Sequence, residues 1–212
     1  MNVVVIAPHP DDEAIGCGGA VCKHVAGGDR VAAVFLTSGE LGLKHLDRAV
    51  AWKTREAESA AAREILGIRE LYFLRQPDWT LGDAVEPASA ALASILQSEQ
   101  PEIIYLPHPG DWHPDHKAAN VILTTALTIS RATPREIWGY EVWTPLTEYD
   151  VVVDITEVIE RKLSAIRAHA SQLTEIDYAY ATKGLNAFRG AVAGRTRYAE
   201  VFRLLHGPGN EE

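Results

Sequence analysis

The chain has 212 residues, 47% of them hydrophobic and 23% charged, with a formal net charge of −9. That is the composition of an ordinary globular protein with room for one α/β domain, which buries roughly 70% of its unfolded surface. It excludes a membrane span, since no run approaches the ~20 apolar residues required, and a nucleic-acid partner, since no basic block offsets the acidity.

MNVVVIAPHP has no basic region and turns polar at once, so no secretory signal is expected and the chain is expected to be cytoplasmic. VVVIA (Val3 to Ala7) reads as the first strand, followed by a helix over Ala14 to Ala26. That helix carries both cysteines, Cys17 and Cys22, at a spacing that suits neither a redox pair nor a thiolate metal site. VAAVFLT (Val31 to Thr37) is the second strand. The Ala-rich segment from Leu46 to Leu66, stopped by Gly67, is the clearest helix. ELYFL (Glu70 to Leu74), a helix over Pro87 to Gln100 and EIIYLP (Glu102 to Pro107) continue the alternation. Four strands with three intervening helices predict right-handed βαβ units and a mainly parallel sheet. A helix over Pro114 to Ser130 follows, then strands near Ile137 to Trp143 and Val151 to Asp154. A helix from Thr156 to about Ala170 and a last apolar run, YAEVFRLL, complete the pattern.

Two stretches carry more chemistry than a loop needs. APHPDDEAIG follows the first strand with His9, Asp11, Asp12 and Glu13. LPHPGDWHPDHKA (Leu106 to Ala118) follows the fourth with three histidines and two aspartates. In open parallel sheets, ligands bind beyond the carboxyl ends of strands where strand order reverses. With the order 3-2-1-4, these two clusters meet in one crevice. Imidazoles with a carboxylate suit Zn²⁺, and three protein ligands leave an open catalytic position. Spacing does not decide whether Asp11 or Asp12 binds; it does allow one carboxylate to ligate while the other handles a proton.

PHPDDE (Pro8 to Glu13) together with HPDH (His113 to His116) resembles the PIG-L/LmbE-like zinc N-deacetylases. The resemblance extends to Arg55 and Glu56 in a helix, YEVWTP (Tyr140 to Pro145), HASQ (His169 to Gln172) and RYAEVF (Arg197 to Phe202). It implies a Rossmann-like, mainly parallel sheet flanked by helices in a single domain over residues 1–206, with a tail at 207–212. It also implies one zinc ion per chain and a small-molecule amino-sugar substrate of the N-acetylglucosaminyl type. His9, Asp12 and His116 would bind the metal and Asp11 would be the general base. His113 would be the acid and oxyanion stabiliser, with Asp115 hydrogen-bonded to it. Arg55, Trp112 and His169 would contact the substrate.

Weaker candidates compete with plain packing. Glu13 is read as a helix cap, and Trp79 and Trp143 as packing residues able to face a sugar. His108, Arg189 and Tyr198 are read as core, and His24, His45 and His206 as ordinary. GYEVWTPL (Gly139 to Leu146) is apolar enough to be an interface between copies of the chain. Two other functions are weighed. The two-histidine, one-carboxylate set also serves non-haem iron oxygenases, though their spacing is H-x-D/E rather than the H-x-x-D found here. GCGG (Gly16 to Gly19) after a strand hints at a dinucleotide, but the G-x-G-x-x-G pattern fails at Val21.

Overall fold

β1 (Asn2–Ala7) is buried from Val3 onward, because it lies in the middle of a sheet covered on both faces. The structure, a computed structural model, describes residues 1–207 except Glu175; the expected tail beyond Gly207 lies outside the described residues. β1 is followed by α1 (Asp12–Ala26), β2 (Arg30–Thr37), α2 (Arg48–Leu66), β3 (Glu70–Gln76), α3 (Val85–Glu99) and β4 (Ile103–Pro107). Then come α4 (Pro114–Ser130), β5 (Glu136–Tyr140), β6 (Val151–Asp154), α5 (Ile159–Ala168), α6 (Tyr178–Arg189) and β7 (Ala199–His206). The sheet order is β3-β2-β1-β4-β5-β7-β6, which contains the expected 3-2-1-4 core. β1 to β5 run parallel, while β7 pairs antiparallel with both β5 and β6.

Alternate residues of β1 feed two cores. Val3, Val5 and Ala7 pack with α1, α2 and α5 through Val21, Leu66 and Leu163. Val4 and Ile6 face α3 and α4 through Leu92, Leu96 and Ile122. Local signals set the boundaries: Asp47 caps α2 by accepting from the Ala49 N–H, and Gly67 ends it at φ 79°. The helix expected over Thr156 to Ala170 is shorter, because Val158 is its N-cap and His169 its C-cap. α6 was not expected at all.

α1 is not a regular helix. At Cys17 the backbone leaves helical geometry (φ −139°, ψ 18°), and the Gly19 and Ala20 N–H groups turn to Glu200 on β7, donating at 2.7 Å each. Lys162 of α5, fully buried, donates to the same carboxylate at 2.6 Å. The glycines of GCGG serve close approach rather than phosphate binding. A methyl group on Gly16 would lie 2.2 Å from the Tyr140 ring, and one on Gly19 2.5 Å from Ile155. Among the described residues, no helix is long and apolar enough to cross a membrane.

Candidate active site

β1 and β4 are hydrogen-bonded neighbours, so the loops after them open side by side at the point where strand order reverses. His9, Asp11 and Asp12 come from the first loop; His113, Asp115 and His116 come from the second and the start of α4. Asp11 stands at φ 120°, a backbone conformation that costs on the order of 1–3 kcal/mol for a non-glycine residue. Its surroundings hold it there. Its N–H donates to Glu13 Oε2 at 3.0 Å, and its Oδ2 accepts from Arg55 at 3.0 Å. The same guanidinium donates to the Pro10 and Gly39 carbonyls.

Asp12 Oδ2 lies 3.2 Å from His9 Nδ1 and 3.3 Å from His116 Nε2. Ligand atoms around a tetrahedral ion with bonds of ~2.0–2.1 Å are separated by about 3.3 Å. His116 is fully buried, and neither of its ring nitrogens has a hydrogen bond. A buried imidazole with carboxylates near both nitrogens but a hydrogen bond to neither suits a ring whose lone pair a metal takes. The residues therefore fit a metal ion. Two sets have all their ligand atoms within 4.8 Å of one another, His9 with His113 and His116, and His9 with Asp78 and Asp115; Asp12 joins the cluster through its contacts to His9 and His116. Both Asp115 oxygens already accept backbone N–H groups, from Trp79 and Leu81 at 2.8 and 3.1 Å, while Asp12 Oδ2 accepts one, from His9 at 2.9 Å.

The cluster moves its protons far from ordinary values. Burial lifts the Asp11 carboxyl to about 6 against the opposing field of Arg55. Burial also works against ionised Asp12, but His116 and His9 outweigh it and hold the carboxyl well below the usual range. His116 loses by burial and gains more from Asp12, ending at about 9. His113 goes the other way, to about 4, through burial and then the repulsion of His9 and His116.

Two expectations are revised. The Asp115 carboxylate does not meet His113; its Oδ2 lies 3.1 Å from His9 Nε2, because the turn into α4 aims the side chain at the neighbouring loop. What reaches His113 Nδ1 is the Asp115 backbone N–H at 3.2 Å, which leaves Nε2 as the nitrogen that carries the proton in the neutral ring. His169 does not line the cleft. It is buried behind Glu13, with Nε2 3.4 Å from Oε1. Arg55 does line the cleft, with two of its guanidinium nitrogens spent on Asp11 and two backbone carbonyls.

Trp112 is half exposed on the cleft wall, and Trp79 and Trp143 line it too. Glu13 is more than a cap, since it fixes the Asp11 backbone. GYEVWTPL gives the cleft Val142 and Trp143 and the core Tyr140 and Leu146. His45, read as ordinary, stands on the cleft wall beside Lys44. His24 bridges Asp29 and the Tyr105 hydroxyl, and His108 holds the Thr144 carbonyl.

Two site residues escaped the sequence reading. Asp78 lies 3.2 Å from His9 Nε2. Asp111, fully buried, lies 3.5 Å from His116 Nδ1 and accepts the His113, Trp143 and Thr144 N–H groups. The overlooked signal is a repeated dipeptide: Asp78-Trp79 and Asp111-Trp112 each sit just past a strand. In both, the carboxylate turns to a histidine and the indole lines the cleft.

The cleft encloses about 540 Å³. With a buried His/Asp cluster at the carboxyl end of a parallel sheet, it defines an α/β protein with a metal-capable site for a small molecule. Residues 4–127 match the GlcNAc-PI de-N-acetylase (PIG-L) family, and the chain belongs to that family. It is 30% identical to diacetylchitobiose deacetylase of Thermococcus kodakarensis, over 97% of this chain and 84% of that one. It is 26% identical to the 1D-myo-inositol 2-acetamido-2-deoxy-α-D-glucopyranoside deacetylase of Kineococcus radiotolerans, covering 97% and 78%. The crystal structure of N,N′-diacetylchitobiose deacetylase from Pyrococcus horikoshii superposes with a TM-score of 0.85 at 28% identity, covering 98% and 87%. These relatives are deacetylases, and the oxygenase alternative finds no support among them.

Proposed function

We propose that this protein is a zinc-dependent hydrolase that removes the N-acetyl group from an N-acetylglucosaminyl-type amino sugar. The observation that carries the proposal is Asp12 Oδ2 standing between His9 and His116 at metal-ligand spacing, with the activated carboxylate of Asp11 next to it. His9, Asp12 and His116 hold the ion; two imidazoles and a carboxylate favour zinc over magnesium or calcium. Bound there, zinc polarises the amide carbonyl and acidifies a water molecule. Asp11, at about 6, is a base near neutral pH whose conjugate acid can return the proton to the departing amine. One carboxylate thus serves both proton transfers, and acetate and the free amine leave.

His113 supports the oxyanion as a neutral donor through Nε2–H. An imidazolium is disfavoured by burial and by the repulsion of His9 and His116, and the group that faces Nδ1 is an N–H rather than a carboxylate. This differs from the cationic acid that the family resemblance implied. Trp79 and Trp112 flank the His113 ring with centroids 4.6 and 5.5 Å away and offer faces to a sugar. The test is amine release from N-acetylglucosaminides by zinc-loaded protein, alongside Asp11→Asn. The variant should keep its zinc and lose ~10² to 10⁴ in rate. A fully active Asp11→Asn protein would refute the assignment of the base.

A further inference from the structure

Beside the cleft lies a second, smaller cavity of about 170 Å³ that shares five lining residues with it. Ile15, Val142, Trp143, Ile176 and Tyr178 line both spaces, whereas Ala181, Thr182 and Leu185 of α6 line only the smaller. Its lining is mostly aliphatic and aromatic. Glu141 is the one acid there, and its Oε1 accepts from Arg189 and the Leu146 N–H. A continuous path of rings leads to it from the metal cluster. Trp112 lies 5.5 Å from His113, Trp143 5.8 Å from Trp112, and Tyr178 5.8 Å from Trp143, centroid to centroid.

We propose that this annex is a subsite for an apolar aglycone, an aryl or short alkyl group joined to the amino sugar. The proposal rests on the deacetylase reading and deepens it by naming the substrate class. None of His9, Asp11, Asp12, His113 or His116 lines the annex, so the scissile acetyl group, held at the metal, lies outside it. The 540 Å³ cleft accommodates the amide and the sugar ring, and whatever the ring carries away from the metal continues along the Trp112–Trp143–Tyr178 wall. Seven of the nine lining residues are aliphatic or aromatic, and such walls reward an apolar group.

The test compares methyl and p-nitrophenyl N-acetylglucosaminides with the metal-loaded protein, its Ala181→Leu and Ala181→Phe variants, and N-butyryl glucosamine as a third substrate. Ala181 is exposed on the annex side of α6 and does not line the main cleft, so larger side chains there fill the annex in steps. In the native protein kcat/KM should favour the aryl glycoside by about 10- to 100-fold. The aryl-to-methyl ratio should fall in Ala181→Leu and approach one in Ala181→Phe. A ratio that Ala181→Phe leaves untouched, or an effect confined to the longer N-acyl chain, overturns the proposal. Calorimetric binding of the same glycosides separates it from the deacetylase reading. Without amine release from any substrate, tighter aryl binding that Ala181→Phe abolishes upholds the annex while the chemistry fails. Equal binding of aryl and methyl glycosides refutes the annex even in an active deacetylase.

Discussion

Replacing Arg55 by methionine should move the rising limb of the activity profile to higher pH. Arg55 is buried and its guanidinium sits 3.0 Å from Asp11 Oδ2, where it favours the charged carboxylate. At an effective dielectric of ~20, two unit charges about 4 Å apart interact by ~4 kcal/mol, an upper bound of about 3 pKa units. A carboxylate beside an arginine is commonly lowered by ~1–3 units, so removing the cation should raise Asp11 by that amount from its value of about 6. The sign follows directly. The base works as the carboxylate, so a higher pKa delays its appearance as pH rises. With a shift of ~2 units, only about a tenth of Asp11 is ionised at pH 7. A cation bound at Asp12 lowers Asp11 in native and variant alike, so the difference between the two limbs reports the arginine. The assay is kcat/KM against pH for native protein, Arg55→Met and Arg55→Lys. The lysine variant keeps the charge and should shift less, although both lose hydrogen bonds to Pro10 and Gly39. Coincident rising limbs for native protein and Arg55→Met would refute the reasoning, whatever happens to the plateau.

Asp111→Asn should weaken metal affinity about 10- to 100-fold, measured by competition with a chelator, because the carboxylate behind His116 Nδ1 orients the ligand ring. Glu200→Gln should cost ~3–5 kcal/mol in urea unfolding by stranding the buried Lys162 ammonium, and Lys162→Met in the same chain should recover much of it. Additive losses in that pair would show that the two groups are not coupled.

Much of the fold was legible because its strands are short apolar runs between helices with clear stops. β1 to β4 and their parallel pairing followed from alternation and the right-handed crossover rule, whereas the order 3-2-1-4 entered as a condition that the sheet meets. α6 was missed because YAYATKGLNAFR holds a glycine mid-helix and buries Ala179, Thr182, Asn186 and Arg189 while it exposes Tyr180 and Phe188, so its inward face is not marked by large apolar residues. Its one local sign, Asp177 accepting from the Tyr180 N–H, is a cap that counts only once a helix is suspected. At the site, the histidine and aspartate motifs were visible as clusters, but the direction of individual side chains was not. Asp115 is two residues from His113 in sequence, yet its carboxylate crosses to the Trp79–Leu81 backbone and His9. Asp78 and Asp111 look like loop residues until the strands are laid side by side.

The break in α1 bears on how the site comes into being during synthesis. Every residue assigned to the metal has been made once the ribosome passes His116, and the family match itself ends at residue 127. The helix that presents Asp12 is not stitched until Lys162 and Glu200 arrive, the latter on the last strand to join the sheet. The ligands therefore emerge first and the groups that fix their geometry emerge last. A nascent chain exposes histidines and aspartates able to catch metal loosely, while a tight site forms only with the C-terminal strand in place. A metal taken up there would be held tightly only once β7 is paired and the break in α1 is fixed.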